Sequence, residues 1–97
     1  MATYILLGNF TEQGIRHVKD SPKRAETVKD LAKKAGVTVK ELYWTLGQYD
    51  VVAIFDASDE TAVTALGLSL AALGNVRTQT LRAFTGSEIS AIIKKMV

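Results

Sequence analysis

The sequence predicts an α+β domain: a four-stranded antiparallel sheet, two main helices on one of its faces, and a further helix at the C-terminal end. Three observations predict it. Four short runs rich in β-branched and aromatic residues, at 3–10, 38–46, 49–56 and 75–84, read as strands. The stretches after the first and third runs carry apolar residues at three- and four-residue spacing, the period of a helix face. The second and third runs are separated only by Gly47-Gln48, the Gly-first form of a two-residue type II′ hairpin.

Each element has its own warrant. "TYILLGNF" is short and almost wholly apolar, as a strand buried on both faces is. Gly8 within it points to a bulge or a close backbone approach. Asn9 or Thr11 is placed to cap a first helical turn, and Ser21-Pro22 is a second start signal, serine as N-cap and proline as first helical residue. Ala25, Val28, Leu31, Ala32 and Ala35 then form one stripe, and Gly36 ends the helix as a left-handed cap. If the hairpin turn has two residues, Trp44 faces Val51 and Tyr43 faces Val52. One face of the pair then carries Leu42, Trp44, Leu46, Tyr49, Val51, Ala53 and Phe55. The other carries Tyr43, Thr45, Asp50, Val52 and Ile54. Ser58-Asp59 caps the next helix, in which Ala62, Ala65, Leu66, Leu70 and Leu73 make a stripe. Further apolar residues surround that stripe, a pattern that calls for burial on nearly every side. After the fourth strand, Thr85-Gly86-Ser87-Glu88 is a capping box, and Ile89, Ile92, Ile93 and Met96 give the last helix an apolar stripe that must dock somewhere.

The order strand, helix, strand, strand, helix, strand is the split βαβ or ferredoxin-like arrangement, with both main helices on one face. Val52 and Ile54 on the second face call for a cover there too. Two such sheets closing face to face, as a dimeric α/β barrel, supply it. Homo-oligomerisation is therefore expected, and the dimer is the minimum.

Composition bounds the rest. Ninety-seven residues, 47% apolar and 23% charged, make one ordinary globular domain over 1–97. A formal charge of +2 with scattered basic residues gives no nucleic-acid signature. Without cysteine there is no disulfide, thiolate metal site or cysteine nucleophile. One histidine leaves no metal motif, and no cofactor fingerprint occurs. No run has the length of a membrane span and no basic-then-apolar leader occurs, so the expectation is a cytoplasmic protein with no membrane partner.

Three blocks, "TEQGIRHVKDSPKR", "YWTLGQYDVVAIFDASDE" and "GNVRTQTLRAF", occur in that order and strongly resemble the GYD-domain family of small bacterial and archaeal proteins. The eponymous element is Gly47-Gln48-Tyr49-Asp50. The resemblance implies a ferredoxin-like fold related to the dimeric α/β-barrel proteins, and no particular activity.

The residues leave two readings of function. In the first, the chain is a homo-oligomeric domain that binds a small organic ligand or simply assembles. In the second, it is a cofactor-independent monooxygenase or isomerase of the dimeric α/β-barrel type. Asp50 would then be the acid/base, assisted by Tyr43 or Tyr49, since a desolvated carboxylate suits proton transfer. The plainer role for Asp50 is to bond the Thr45 hydroxyl or the turn amides and fix the hairpin. Thr45, Thr78, Thr80 and Arg82 are candidate ligand-binding residues, hydroxyls and a guanidinium on an inward face that can grip a carboxylate or phosphate. The plainer reading of the last three is a charged edge strand. Arg24 of "SPKR" is a candidate to reach Asp56 or a bound anion. His17, between Arg16 and Val18 in a polar stretch, reads as an exposed helical residue.

Overall fold

The computed structural model describes all residues, 1–97. The chain runs through β1 (Ala2–Phe10), α1 (Glu12–Arg16), a 3-10 turn (Val18–Asp20), α2 (Ser21–Ala35), β2 (Thr38–Trp44), β3 (Val51–Ala57), α3 (Glu60–Ala72), β4 (Val76–Ala83) and α4 (Gly86–Ile93). The four strands form one sheet in the order β2-β3-β1-β4, every pair antiparallel. This is the split βαβ fold, with the C-terminal helix added.

The helices lie on the face that the alternation marked as apolar. Tyr4 and Leu6 of β1 and Ala53, Phe55 and Ala57 of β3 form one buried cluster with Ala32 of α2, Val37, and Val63, Leu66 and Leu70 of α3. Phe55 and Leu66 are the largest side chains closed off completely. Burying a side chain of this size contributes roughly 1.5–3 kcal/mol, so these two anchor the two layers. The α2 stripe faces the same core, and Gly36 closes that helix at φ 77°. The helix begins one residue earlier than a serine N-cap implies. Asp20 is the N-cap and makes no side-chain cap bond, while the Ser21 hydroxyl accepts from Arg24.

In α3 the buried positions are Val63, Leu66 and Leu70, while Ala65 is exposed and Leu68 and Leu73 are 68% and 49% exposed. The stripe expected through Ala65 and Leu73 is thus rotated toward Val63. A helix apolar on every side cannot turn all of them into a two-layer fold, and its outer side stays wet.

Trp44 pairs with Val51 and Tyr43 with Val52, the register that the turn predicted. The turn itself is wider than two residues. The ladder stops at Trp44 and Val51, Thr45 N–H donates to Asp50 O as the last rung, and Leu46 is fully exposed. Gly47 takes φ 108°, a conformation that glycine adopts without cost. Asp50 is held from both sides: its carbonyl accepts from Thr45 N–H and its own N–H donates to Gly8 O of β1. One extra residue, Lys40, is accommodated as a bulge between Val39 and Glu41.

Gly8 marks neither a bulge nor a close approach. Its registers with Val51 and Thr78 are unbroken, and an added Cβ would meet only ordinary contacts, Val51 Cβ at 3.6 Å being the nearest.

The C-terminal helix leaves the body of the fold. Its capping box is formed, yet none of its residues is buried, and Ile89, Ile92, Ile93 and Met96 are all exposed. The Cα radius of gyration is 14.6 Å and the extents are 50 × 30 × 18 Å. A compact domain of this length has a radius of about 12.5 Å, so the chain is thin and elongated.

Candidate functional site

The three sequence blocks meet at one end of the sheet, where β1 and β2 stop and β3 and β4 begin. Thr11 caps α1 by accepting from Gly14 N–H at 3.0 Å, and its hydroxyl donates to Gly74 O at 2.6 Å. Thr11 N–H donates to Asn75 O, and Gln13 Nε2 donates to Leu73 O and Asn75 Oδ1. The first helical turn is thereby bound to the α3–β4 connection. Gly14 is what allows the approach: a Cβ there would stand 1.9 Å from Asn75 O.

The Gly47–Asp50 loop locks onto the same end of β1. Asn9 Nδ2 donates to Gln48 O at 2.6 Å, Asp50 N–H donates to Gly8 O, and Phe10 N–H donates to the Asp50 carboxylate at 2.9 Å. Thr45 Oγ1 donates to Tyr49 O at 2.5 Å. The carboxylate therefore bonds neither the Thr45 hydroxyl nor a turn amide. Its partner is the last amide of a strand forty residues away in sequence. Each residue of the eponymous element serves the loop. Gly47 makes the backbone turn, the Gln48 and Tyr49 carbonyls are acceptors, and Asp50 ties the loop to β1.

Tyr43 lies elsewhere, on the face without helices, half-exposed, its hydroxyl donating to Glu41 Oε2 at 3.0 Å. That bond and the negative charge of Glu41 push the phenol above its ordinary value, so it stays protonated at neutral pH. No hydrogen bond joins Tyr43, Tyr49 and Asp50 side chains into a proton-transfer group. Thr78, Thr80 and Arg82 are in register with Gly8, Leu6 and Tyr4. They lie on the helix side of the edge strand β4 and do not face the uncovered side. The uncovered side of β4 carries Arg77, Gln79 and Leu81. Strand alternation separated these two sets but could not say which one meets the helices.

Arg82 is occupied. Its guanidinium stacks 4.4 Å from the Phe84 ring, donates to Thr3 O and Ala83 O, and pairs with Glu88 at 3.4 Å. Glu88 also accepts from Thr85 N–H, and this amide bond, seconded by Arg82, holds its carboxyl below the ordinary value near 4.5. A carboxyl with a lowered folded pKa stabilises the folded form above the unfolded value, and the contribution fades as pH falls through the folded value. The base of α4 is thus expected to fray on acidification below about pH 4.5. Amide and carboxyl chemical shifts of residues 85–90 will follow that step, and Glu88→Gln will remove it.

Arg24 does not reach Asp56, which is held by the Thr3 hydroxyl and Lys40. Its Nη2 donates to Gly14 O, His17 O and Ser21 Oγ, and its guanidinium carbon lies 5.7 Å from the centre of the Phe10 ring. The His17 side chain is exposed; only its carbonyl takes part. Arg24 also lines a cavity of about 300 Å³ between α2 and the sheet. Phe10, Val28, Leu42, Trp44 and Leu70 supply much of its wall, and Gly8 lies in its floor. This cavity is the feature that local sequence reading missed. The one signal for it was a glycine inside an apolar strand.

Fold and site together define a class: a split βαβ domain whose distinctive loops gather at one sheet end, around a small apolar cavity. The chain belongs to the GYD domain family, whose model matches residues 4–93. It is 35% identical over 95 residues to a Thermus thermophilus protein named glutamine synthetase and cystathionine beta-lyase binding protein, spanning 97% of this chain and all of that one. The crystal structure of TTHA0845, also from Thermus thermophilus, superimposes with a TM-score of 0.58 at 24% identity, over 89% of this chain and 96% of that one. This second likeness shows a shared fold. No helix of the chain is long and apolar enough to cross a membrane.

Proposed function

We propose that this chain is a non-catalytic binding domain that self-associates through the uncovered face of its sheet and engages other proteins as an assembly. The observation that carries the proposal is that face. Ile5 sits between Ile54 and Leu81 in one rung, and Leu7 is flanked by Val52 in the next. Both main helices pack on the opposite side, and α4, which has an apolar stripe of its own, buries none of its residues. Four strands at about 4.8 Å spacing and seven residues at about 3.3 Å rise present on the order of 450 Å² of sheet. This is a little over half of the roughly 800 Å² per partner of a specific interface, and the exposed α4 stripe offers further apolar surface. A second copy, sheet against sheet, fits a face that is apolar in the middle and carries Glu41, Tyr43, Gln79 and Arg77 at its margins.

The relative's name supports the second half of the proposal, since it describes a protein that binds two enzymes. The corresponding reading here is that the assembled domain binds glutamine synthetase, cystathionine beta-lyase or both. The proton-transfer reading of Asp50 has no comparable support, because its carboxylate is engaged by a backbone amide.

Sedimentation velocity across the micromolar range tests the assembly. A dimer or a multiple of it is expected for the natural chain, and Ile54→Lys is expected to shift it to monomer, a charge buried at a self-pairing face acting twice in each dimer. A monomer at every concentration overturns the proposal. Adding purified glutamine synthetase or cystathionine beta-lyase to the same cell tests the partner claim, with co-sedimentation of either as the supporting result and none with both as the opposing one.

A further inference from the structure

We propose that the cavity beside Arg24 is a binding site for a small amphipathic monocarboxylate, its carboxylate on the guanidinium and its apolar tail against the core wall. The site lies on the helix side of the sheet and does not depend on the interface proposed above.

The charge argues for the anion. Arg24 is the only charged residue lining the cavity. Its Nη2 is fully used by the Gly14 and His17 carbonyls and the Ser21 hydroxyl, but its Nη1 is buried and has no protein acceptor. Guanidinium presents five donors and no acceptor, so a buried nitrogen without an acceptor is costly. A carboxylate seated in the cavity would answer it with a charge-assisted bond once the guanidinium turns toward the opening, since this nitrogen has almost no accessible surface as it stands. One cation with no second basic group in the wall matches a monoanion; a phosphate dianion would carry an unpaired charge into an apolar space. The shape argues for the tail. The wall is mostly apolar, and its volume of about 300 Å³ lies at the small end of ligand pockets. Gly8 leaves the floor open between Leu6 and Phe10, the residues two before and two after it in β1.

Trp44 is the only tryptophan and it lines the cavity, so its fluorescence reports on occupancy directly. The full chain is titrated with hexanoate, hexan-1-ol, hexylammonium and inorganic phosphate, each read by Trp44 emission and by amide shifts of Gly8, Arg24 and Val28. Hexanoate is expected to saturate at a concentration at least tenfold below that of hexan-1-ol, with no saturation by hexylammonium or phosphate. Gly8→Val, which fills the floor and leaves every Arg24 partner in place, is expected to weaken hexanoate at least tenfold while melting as a folded protein. Arg24→Met, which removes the charge and keeps an apolar side chain, is expected to erase the preference of hexanoate over the alcohol. Equal binding of acid and alcohol, binding of phosphate in preference to hexanoate, undiminished binding by Gly8→Val, or no saturable response to any probe would each overturn the proposal.

Discussion

Alanine at position 14 lowers the melting temperature by about 12–24 °C, the largest effect expected of any single methyl group added to this chain. The new Cβ would stand 1.9 Å from the Asn75 carbonyl oxygen and 2.9 Å from its carbon. Both belong to the backbone, so no side chain can rotate away. Either α1 lifts from the α3–β4 connection or that connection moves. In both cases the bonds from Thr11 to Gly74 and Asn75, and from Gln13 to Leu73 and Asn75, are strained or lost. Overpacking alone costs about 1–3 kcal/mol, and each lost bond adds roughly 1 kcal/mol. A total of about 3 kcal/mol gives the temperature range stated. Gly67→Ala is the matched control. It lies inside α3 and its added Cβ meets nothing within 4 Å. There the helix propensity of alanine dominates, a gain of about 0.5–1 kcal/mol. Thermal melts of the two variants at one fixed concentration should therefore move in opposite directions.

Asp50→Ala is expected to have the next largest effect. Removal of the carboxylate leaves Phe10 N–H, partly buried, without its acceptor and releases the Gly47–Asp50 loop from β1. A charge-assisted bond of this kind contributes about 1.5–3 kcal/mol, which predicts a fall of roughly 6–24 °C in melting temperature. Asp50→Asn keeps an oxygen in the same place and should lose about half as much. Hydrogen exchange gives a sharper readout: the Phe10 amide should lose protection in the alanine variant and keep most of it in the asparagine one. If both variants melt with the natural chain and Phe10 stays protected, the loop lock is not what Asp50 provides.

These two residues also mark the boundary of what sequence patterns convey. Periodicity and caps are local, and they were legible: the order of the elements, the register of Trp44 with Val51, the Thr85–Glu88 box and the left-handed Gly36 all follow from neighbours in the chain. What Asp50 and Gly14 do was not legible, because their partners are main-chain groups far along the chain, beyond the reach of local patterns. An amide of Phe10 or a carbonyl of Asn75 leaves no side-chain signature at its own position. Which side of the sheet Thr78, Thr80 and Arg82 occupy stayed open for a related reason. Alternation sorts a strand into two sets, but which set meets the helices is decided by the sheet as a whole, here by register with the buried Tyr4 and Leu6. The rotated stripe of α3 shows the same limit from the other side. A helix with apolar residues all round does not specify which of them face inward.

The exposed apolar surface has a common pattern. The uncovered sheet face, the outer side of α3 at Leu68 and the stripe of α4 are all positions where the amino-acid pattern asked for burial and the single chain does not provide it. The proposed assembly through the sheet face would cover the largest of these, and the function proposed for the chain depends on it. Isotope-filtered nuclear Overhauser spectroscopy on a mixture of labelled and unlabelled chains can detect that contact residue by residue. Intermolecular cross-peaks are expected from the methyl groups of Ile5, Ile54 and Leu81. Cross-peaks confined to Leu68 of α3 or to Ile92 and Ile93 of α4, or none from any methyl group, would contradict sheet-to-sheet assembly.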